Sequence, residues 1–350
     1  MRRVTMQDVA DALNISRVTV WKVLNNQPGV SDILCNQILE KAREIGYLKP
    51  GMPYPDNPSA QSISEEGPSV GQMTVSVVVS RPESSIFWMN IIHQIAKELD
   101  KSNISLMYTY LPSQISSGYT LPGILTGGSI QGIIVLNVYD HDLLIMLNQL
   151  RLPKIFLDMP SSLSSDILTG DLCLIEGKSS IYRITNHLIK QGCTEIGFIG
   201  DAEYALTNKD RYDGFIKAMD DNNLPVNHDY NLTTNIGIYT YAEEINSFLA
   251  GIKRMPRAFV CVSDYVAHFV LKYLSDRNYA IPDDIAISGF DNSTEYPGIA
   301  GKLTTVEVNT PALGIRLAKQ LQYRISYPDA PTEINYIMTK VIYGETTHIK

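Results

Sequence analysis

From Met73 to Ser326 the sequence alternates short apolar runs with stretches of helical periodicity, and no other feature constrains the fold as much. Runs such as Val77-Val78-Val79 and Ile133-Ile134-Val135-Leu136 are bounded by polar and turn-forming residues. They are far too short to span a bilayer and have the length of buried strands. The pattern predicts strands over 73–80, 104–110, 132–137, 154–158, 172–175, 195–199, 257–262 and 285–289. Between them it predicts helices over 88–102, 140–150, 178–191, 209–223, 240–254, 264–278 and 310–326. Strand–helix alternation builds parallel sheets from right-handed βαβ units. Residues 73–350 exceed one comfortable open sheet, so an α/β body of two lobes with a cleft is expected. Ligands of such folds sit at the carboxyl ends of the strands.

The first 48 residues follow another rule. Thr5 and Asp8 have the spacing of a capping box, and Val9, Ala10 and Leu13 follow at helical spacing. Asn14-Ile15 interrupts, and Ser16 opens a second helix with Val20, Val23 and Leu24 on one face. After Pro28-Gly29, Ser31 caps a third helix over about 32–46 with Ile38, Leu39, Ala42 and Ile45 as its apolar stripe. Residues 49–72 then hold five prolines and almost no apolar periodicity, the signature of a linker. The expected organisation is an all-α head over 1–48, a linker over 49–72 and the two-lobed body over 73–350.

Charge separates head from body. Residues 1–50 carry seven Lys/Arg and five Asp/Glu, a net +2, and the other 300 carry 22 basic and 32 acidic groups, a net −10. A basic module on an acidic body suits one part that meets an anion and one that does not. Cys35, Cys173, Cys193 and Cys261 are scattered and suit a reducing compartment rather than a disulfide framework. The segment MRRVTMQDVADAL lacks the apolar stretch of a secretory leader, so a cytoplasmic protein with no membrane partner is expected.

Helix, short turn, helix is the pattern that places its second helix in the DNA major groove. Arg17, Val18, Trp21 and Lys22 fall on the outward face of that helix. Arg and Lys donate to guanine, and a valine can touch a thymine methyl. Ser16, Thr19 and Ser31 stand at helix starts, where hydroxyls and backbone N–H groups meet phosphates.

The head resembles the N-terminus of the lactose-repressor/galactose-repressor (LacI/GalR) family of transcription regulators. The resemblance rests on Val4-Thr5, Asp8-Val9-Ala10, Ile15-Ser16, Thr19-Val20, Val23-Leu24-Asn25, Val30-Ser31 and Gly46-Tyr47. It implies that Thr5, Ser16, Arg17, Val18, Thr19, Trp21, Lys22, Asn25 and Ser31 face double-stranded operator DNA. The family has Ser-Arg where this chain has Trp21-Lys22. It also follows the head with a hinge helix, which Pro53, Pro55 and Pro58 oppose here.

The body resembles the same family at Gly132–Val135, Pro153–Asp158, Ile196–Gly200, Arg211-x-x-Gly214-Phe215, Ala280–Asp291 and Leu303–Val306. The resemblance implies a fold like the periplasmic sugar-binding proteins, a homodimer, and a small effector in the cleft. It carries Phe87, Asp158, Arg211, Ser263, Asp264 and Asp291 over as effector contacts, with Ser263 standing for an Asn and Trp88 as a second ring beside Phe87. Carboxylates accept from sugar hydroxyls, a guanidinium donates to two, and a ring stacks on the C–H face, so a sugar is the favoured effector. A nucleobase, or a protein co-regulator in place of a small molecule, are the alternatives, as is a sugar-binding module without regulatory coupling.

An enzyme is not expected. The sequence has no GxxxxGK[ST], HExxH or GxSxG, and its six histidines lack metal-ligand spacing. Gly197-Phe198-Ile199-Gly200 is not GxGxxG, so neither a dinucleotide nor another cofactor is expected, and no metal.

Overall fold

A computed structural model describes residues 4–24, 30, 32–45, 47, 73–80, 85–234, 236–237 and 240–349. The chain divides into two compact units, Met1–Gly71 and Gln72–Lys350. The expected linker over 49–72 lies outside the described residues.

In the first unit, α1 (Met6–Leu13), α2 (Arg17–Leu24) and α3 (Asp32–Glu44) form a trihelical head. Thr5 caps α1 through the reciprocal box expected from sequence, its backbone N donating to Asp8 Oδ2 at 2.7 Å. Asn14 ends α1 in the left-handed region, where an asparagine is tolerated, and its N–H reaches back to Ala10 and Asp11. Ser16 Oγ accepts from Thr19 N at 3.0 Å and so starts α2. Val9, Ala10, Val20, Val23, Ile38, Leu39 and Ala42 meet in the head's own core. The absence of a side chain beyond Cβ at Ala10 lets α1 approach its neighbours.

The second unit is the two-lobed α/β body. Its first lobe is a six-stranded parallel sheet in the order β10-β5-β4-β3-β1-β2. The strands are β1 (Thr74–Val79), β2 (Ser105–Tyr110), β3 (Ile133–Leu136), β4 (Lys154–Leu157), β5 (Asp171–Ile175) and β10 (Ile334–Ile337). Strand period sorts β1 between two cores: Val75, Val77 and Val79 pack in one and Val78 in the other. The first face is covered by α4 (Ile86–Asp100) and α11 (Thr310–Ser326), through residues such as Ile91, Ile95, Leu313 and Leu317. The second is covered by α6 (His141–Asn148), through Leu143, Leu144 and Leu147. Helices α4 and α11 cross closely because Gly314 has no side chain; a Cβ there would lie 2.7 Å from Ile91 O.

The second lobe is built on the parallel sheet β6 (Ile196–Ile199), β7 (Ala258–Cys261) and β8 (Ala286–Ser288). Around it lie α7 (Lys178–Lys190), α8 (Leu206–Asp221), α9 (Tyr241–Gly251) and α10 (Asp264–Ser275). A small antiparallel pair, β9 (Thr305–Glu307) with β11 (Lys340–Ile342), completes it.

The chain passes between lobes at 176–177, 308–309 and 338–339. Two of these passages are bonded together. Glu176 N donates to Ile337 O at 2.9 Å, and Thr339 Oγ1 donates to Glu176 O at 3.0 Å.

All eight expected strands and seven expected helices are present, with boundaries moved by a few residues. Three strands were not expected. Strands β9, β10 and β11 mix exposed or half-exposed residues into three or four positions and lack the continuous apolar run that marks the central strands. The start of α4 also moves, from residue 88 to Ile86, which puts Phe87 inside its first turn. Helix α5 (Gly123–Thr126) is a single turn.

Candidate functional site

In the head, α2 turns Val20 and Val23 inward and presents Arg17, Val18 and Trp21 to solvent, with Lys22 half-buried. Ser16 is exposed and hydrogen-bonded to Thr19, and Thr5 is exposed at the start of α1. Asn25 and Ser31 lie outside the described residues.

In the body, the lobes enclose a cleft of about 580 Å³. Its walls are the carboxyl ends of parallel strands. Asn137 and Tyr139 follow β3, Asp158 follows β4, Ser263 follows β7 and Asp291 follows β8. Of the six expected effector residues, Phe87, Asp158, Arg211, Ser263 and Asp291 line this one space, and so does Trp88.

Arg211 projects from α8 and is 6% exposed. Its guanidinium carbon lies 3.6 Å from the centre of the Phe290 ring, and Nη1 donates to Val262 O at 2.7 Å. Its Nε has no hydrogen-bond partner among the described residues. An unpaired donor in that position costs free energy that a ligand oxygen would recover. Gly177 permits this placement, since a Cβ there would lie 2.6 Å from Arg211 Cγ.

Asp291 has φ 109°, a left-handed conformation that aims its side chain off the end of β8. No hydrogen bond to its carboxylate is present among the described residues. Burial pushes its pKa up to about 7. Nearby Arg211 opposes that shift, and the Asp264 and Glu295 charges reinforce it.

Asp158 differs. It too is left-handed, with φ 67°. Its Oδ1 accepts from Met159 N at 2.8 Å and Thr207 N at 3.2 Å, and its Oδ2 from Thr207 Oγ1 at 2.5 Å and Tyr139 OH at 3.0 Å. Burial raises its pKa and these bonds pull it back down. The carboxylate expected from sequence to hold an effector is thus engaged with the protein, and it ties β4 of one lobe to the start of α8 in the other.

Asp264 does not line the cleft. It is 2% exposed, accepts from Thr305 Oγ1 and Ser293 N at 2.7 Å each, and so anchors the loop that carries Asp291. Burial pushes its pKa up to about 6. Ser263 is the actual N-cap of α10, with Oγ accepting from Val266 N. Asp264 thus lies one position inside the cap and behind the wall that the other five residues line.

Sequence reasoning missed most of the aromatic lining. Tyr139 and Tyr204 pack with ring centres 4.4 Å apart, and Tyr241, Tyr265 and Tyr296 form a second group. Phe87 meets Trp88 edge to face at 5.3 Å. With 20 tyrosines in the chain, only a position just past a strand end, as at Tyr139, marked any of them. Glu295 was missed as well. It accepts from Ile86 N at 2.8 Å and Ser85 Oγ at 3.1 Å, holding the start of α4, where Phe87 and Trp88 stand.

Residues 185–347 match the model of a periplasmic binding protein-like domain. The chain is 24% identical over 322 residues to the HTH-type transcriptional repressor PurR of Actinobacillus pleuropneumoniae, covering 92% of this chain and 91% of that one. The alignment runs through both head and body. Over nearly its whole length the chain is similar to HTH-type transcriptional repressors. Its fold is that of a solved CelR–cellobiose complex, with TM-score 0.69 and 19% identity over 98% of this chain and all of that one. It is also that of a lac repressor dimer bound to operator and the anti-inducer ONPF, with TM-score 0.64 and 17% identity over 99% of each. Among the described residues no helix is long and apolar enough to cross a membrane.

Proposed function

We propose that this chain is a cytoplasmic repressor of a carbohydrate operon, binding a two-fold operator as a homodimer under control of a small sugar-like effector. Residues 1–48 would bind DNA, 49–72 would link, and 73–350 would bind effector and dimerise. The observation that carries the effector reading is the pairing of Arg211 and Asp291 in one aromatic-walled cleft. Arg211 has a buried Nε without a partner, and the Asp291 carboxylate has no hydrogen-bond donor among the described residues. A donor fork and an acceptor pair suit vicinal hydroxyls, and the rings suit the C–H face of a sugar. The relative crystallised with cellobiose supports the same class.

Aromatic walls also suit a planar base, so nucleobases are the second class. Effector and operator affinities are linked reciprocally, typically by about 1–3 kcal/mol.

The test is a thermal-shift screen of the full chain against mono- and disaccharides, sugar phosphates and nucleobases. A ligand at 100 times its Kd adds about 2.7 kcal/mol of stability. A sugar hit abolished by Arg211→Ala and Asp291→Ala is expected. A nucleobase hit replaces the sugar, and no hit in a protein that still binds DNA moves control to a protein co-regulator.

A further inference from the structure

The cleft has two aromatic ends. Tyr139, after β3, and Tyr204, after β6, come from different lobes and pack with ring centres 4.4 Å apart. The Tyr139 hydroxyl donates to Asp158, which places this end at the tips of β4 and β6. At the other end stand Phe87 and Trp88, on the helix that follows β1, and Tyr296, after β8. Glu295 ties the lobes together there through Ser85 and Ile86.

The sheets set the distance between the ends. Strand β3 separates β4 from β1, and β7 separates β6 from β8. Two strand spacings put the ends about 10 Å apart on both walls. Arg211 and Asp291 belong to the β8 end, since the guanidinium lies over Phe290, the residue before Asp291. A single pyranose held by that pair and stacked on Phe87 or Trp88 therefore stops short of the tyrosine pair. Packed at interior density, one hexose fills about a third of the 580 Å³. The space left over, with Tyr139 and Tyr204 in its wall, suits a second ring.

Charge narrows the class further. The charged residues that line the cleft are Asp158, Asp291, Glu295 and Arg211. Arg211 already gives one N–H to Val262 O. A phosphate or carboxylate on the ligand would face three carboxylates with one guanidinium to share, and its desolvation would go uncompensated.

We propose that the cleft is a two-ring site for neutral glycosides. One ring sits on Arg211 and Asp291, the second lies against Tyr139 and Tyr204, and neither carries an anionic group. The inference rests on the sugar reading above and adds the length and charge of the ligand.

The test is titration calorimetry of the full chain with matched sets built on glucose, galactose, mannose and N-acetylglucosamine. Each set holds the free sugar, its phosphate monoester, its phenyl glycoside and disaccharides that carry it at the non-reducing end. Adenine and guanine are titrated beside them. In the set that binds, a disaccharide or phenyl glycoside is expected to bind at least about tenfold tighter than the free sugar. The phosphate monoester should bind at least about tenfold more weakly than the free sugar. Tyr204→Ala should shrink the ratio of glycoside to free-sugar affinity to about threefold or less, and Tyr204→Phe, which keeps the ring, should preserve it. The ratio is read within one protein, so a general loss of stability does not move it.

A free sugar that binds as tightly as its glycosides would overturn the inference. So would a phosphate ester that binds tightest, or a ratio unchanged in Tyr204→Ala. In those cases the sugar reading stands and the length or charge assigned here falls. Binding of adenine or guanine in place of every sugar, or of no member of any set, would overturn the sugar reading itself and take the inference with it.

Discussion

Asp158 and Asp291 occupy equivalent places in the two lobes, each just past the end of a parallel strand with a left-handed backbone. Their surroundings treat them in opposite ways. Asp158 accepts four hydrogen bonds, three of them from groups outside its own dipeptide, and joins the lobes. Asp291 faces the cleft with Arg211 nearby and no donor on its carboxylate among the described residues. Identical chemistry at matching topological positions therefore serves two ends. One carboxylate supports the protein, and the other is available to something that enters. The difference comes from α8, 49 residues further on: Thr207 in its first turn sends both its backbone N–H and its hydroxyl to Asp158.

The sharpest way to break this contrast is the matched pair Asp158→Asn and Asp291→Asn, since asparagine tolerates both backbones. Asp291→Asn is expected to weaken effector binding by about 30- to 100-fold, as loss of a charged acceptor does. It should leave thermal stability unchanged or raised. Asp158→Asn is expected to lower stability by about 1–3 kcal/mol and change effector affinity by less than about threefold. Calorimetry of both variants against the same ligand decides the matter. Equal losses of affinity would erase the distinction.

The next effect is pH-dependent. With Asp291 pushed up to about 7, the ligand-free carboxyl is mostly ionised at pH 8 and mostly protonated at pH 6. An effector that needs the carboxylate should bind about tenfold more weakly at pH 6 than at pH 8. Titration of the affinity should show that slope in wild type and not in Asp291→Asn. Stability of the ligand-free protein should move the other way. Because the folded pKa exceeds that of the unfolded chain, the folded state binds the extra proton. This group's contribution to stability therefore falls as pH rises from about 4 to 7. Asp291→Asn should remove that part of the dependence.

Smaller effects test the support around Asp158. Thr207→Val keeps the backbone donor and removes the hydroxyl, at a cost of about 1 kcal/mol in a denaturation experiment. Tyr139→Phe removes a longer bond of 3.0 Å and should cost about 0.5 kcal/mol or less. A larger effector defect than stability defect in Tyr139→Phe would show that its hydroxyl serves the ligand too.

The body was legible because its strands repeat one arrangement: an apolar run, a polar residue at the strand end, then a helix. That arrangement marks the strand ends, and the family resemblance is what carried Asp158, Ser263 and Asp291 over as contacts. What each of them touches was not legible. The partner of Asp158 is 49 positions away, and that of Asp264 at Thr305 is 41 positions away. Nothing local announces either pair. Strand β10 was hidden for a related reason. It pairs Ile334 with Leu172, and its half-exposed INYI pattern lacks the apolar continuity of the strands at the centre of the sheet. In the head the capping box and the α1–α2 turn were readable because all their bonds are local.

The threefold passage between lobes has a consequence for how the body comes into being. Strands β1 to β5 emerge early in synthesis, yet the helix that covers one face of their sheet, α11, and the edge strand β10 lie after residue 309. Most of the second lobe, β6 to β9, is encoded between them, and only its last strand, β11, follows β10. The lobe begun first is thus completed nearly last, and Val75, Val77 and Val79 wait for Leu313 and Leu317 through the synthesis of about two thirds of the chain. A premature stop before residue 310 would leave that apolar face covered by α4 alone, and the fragment would be a client for chaperones rather than a smaller working protein.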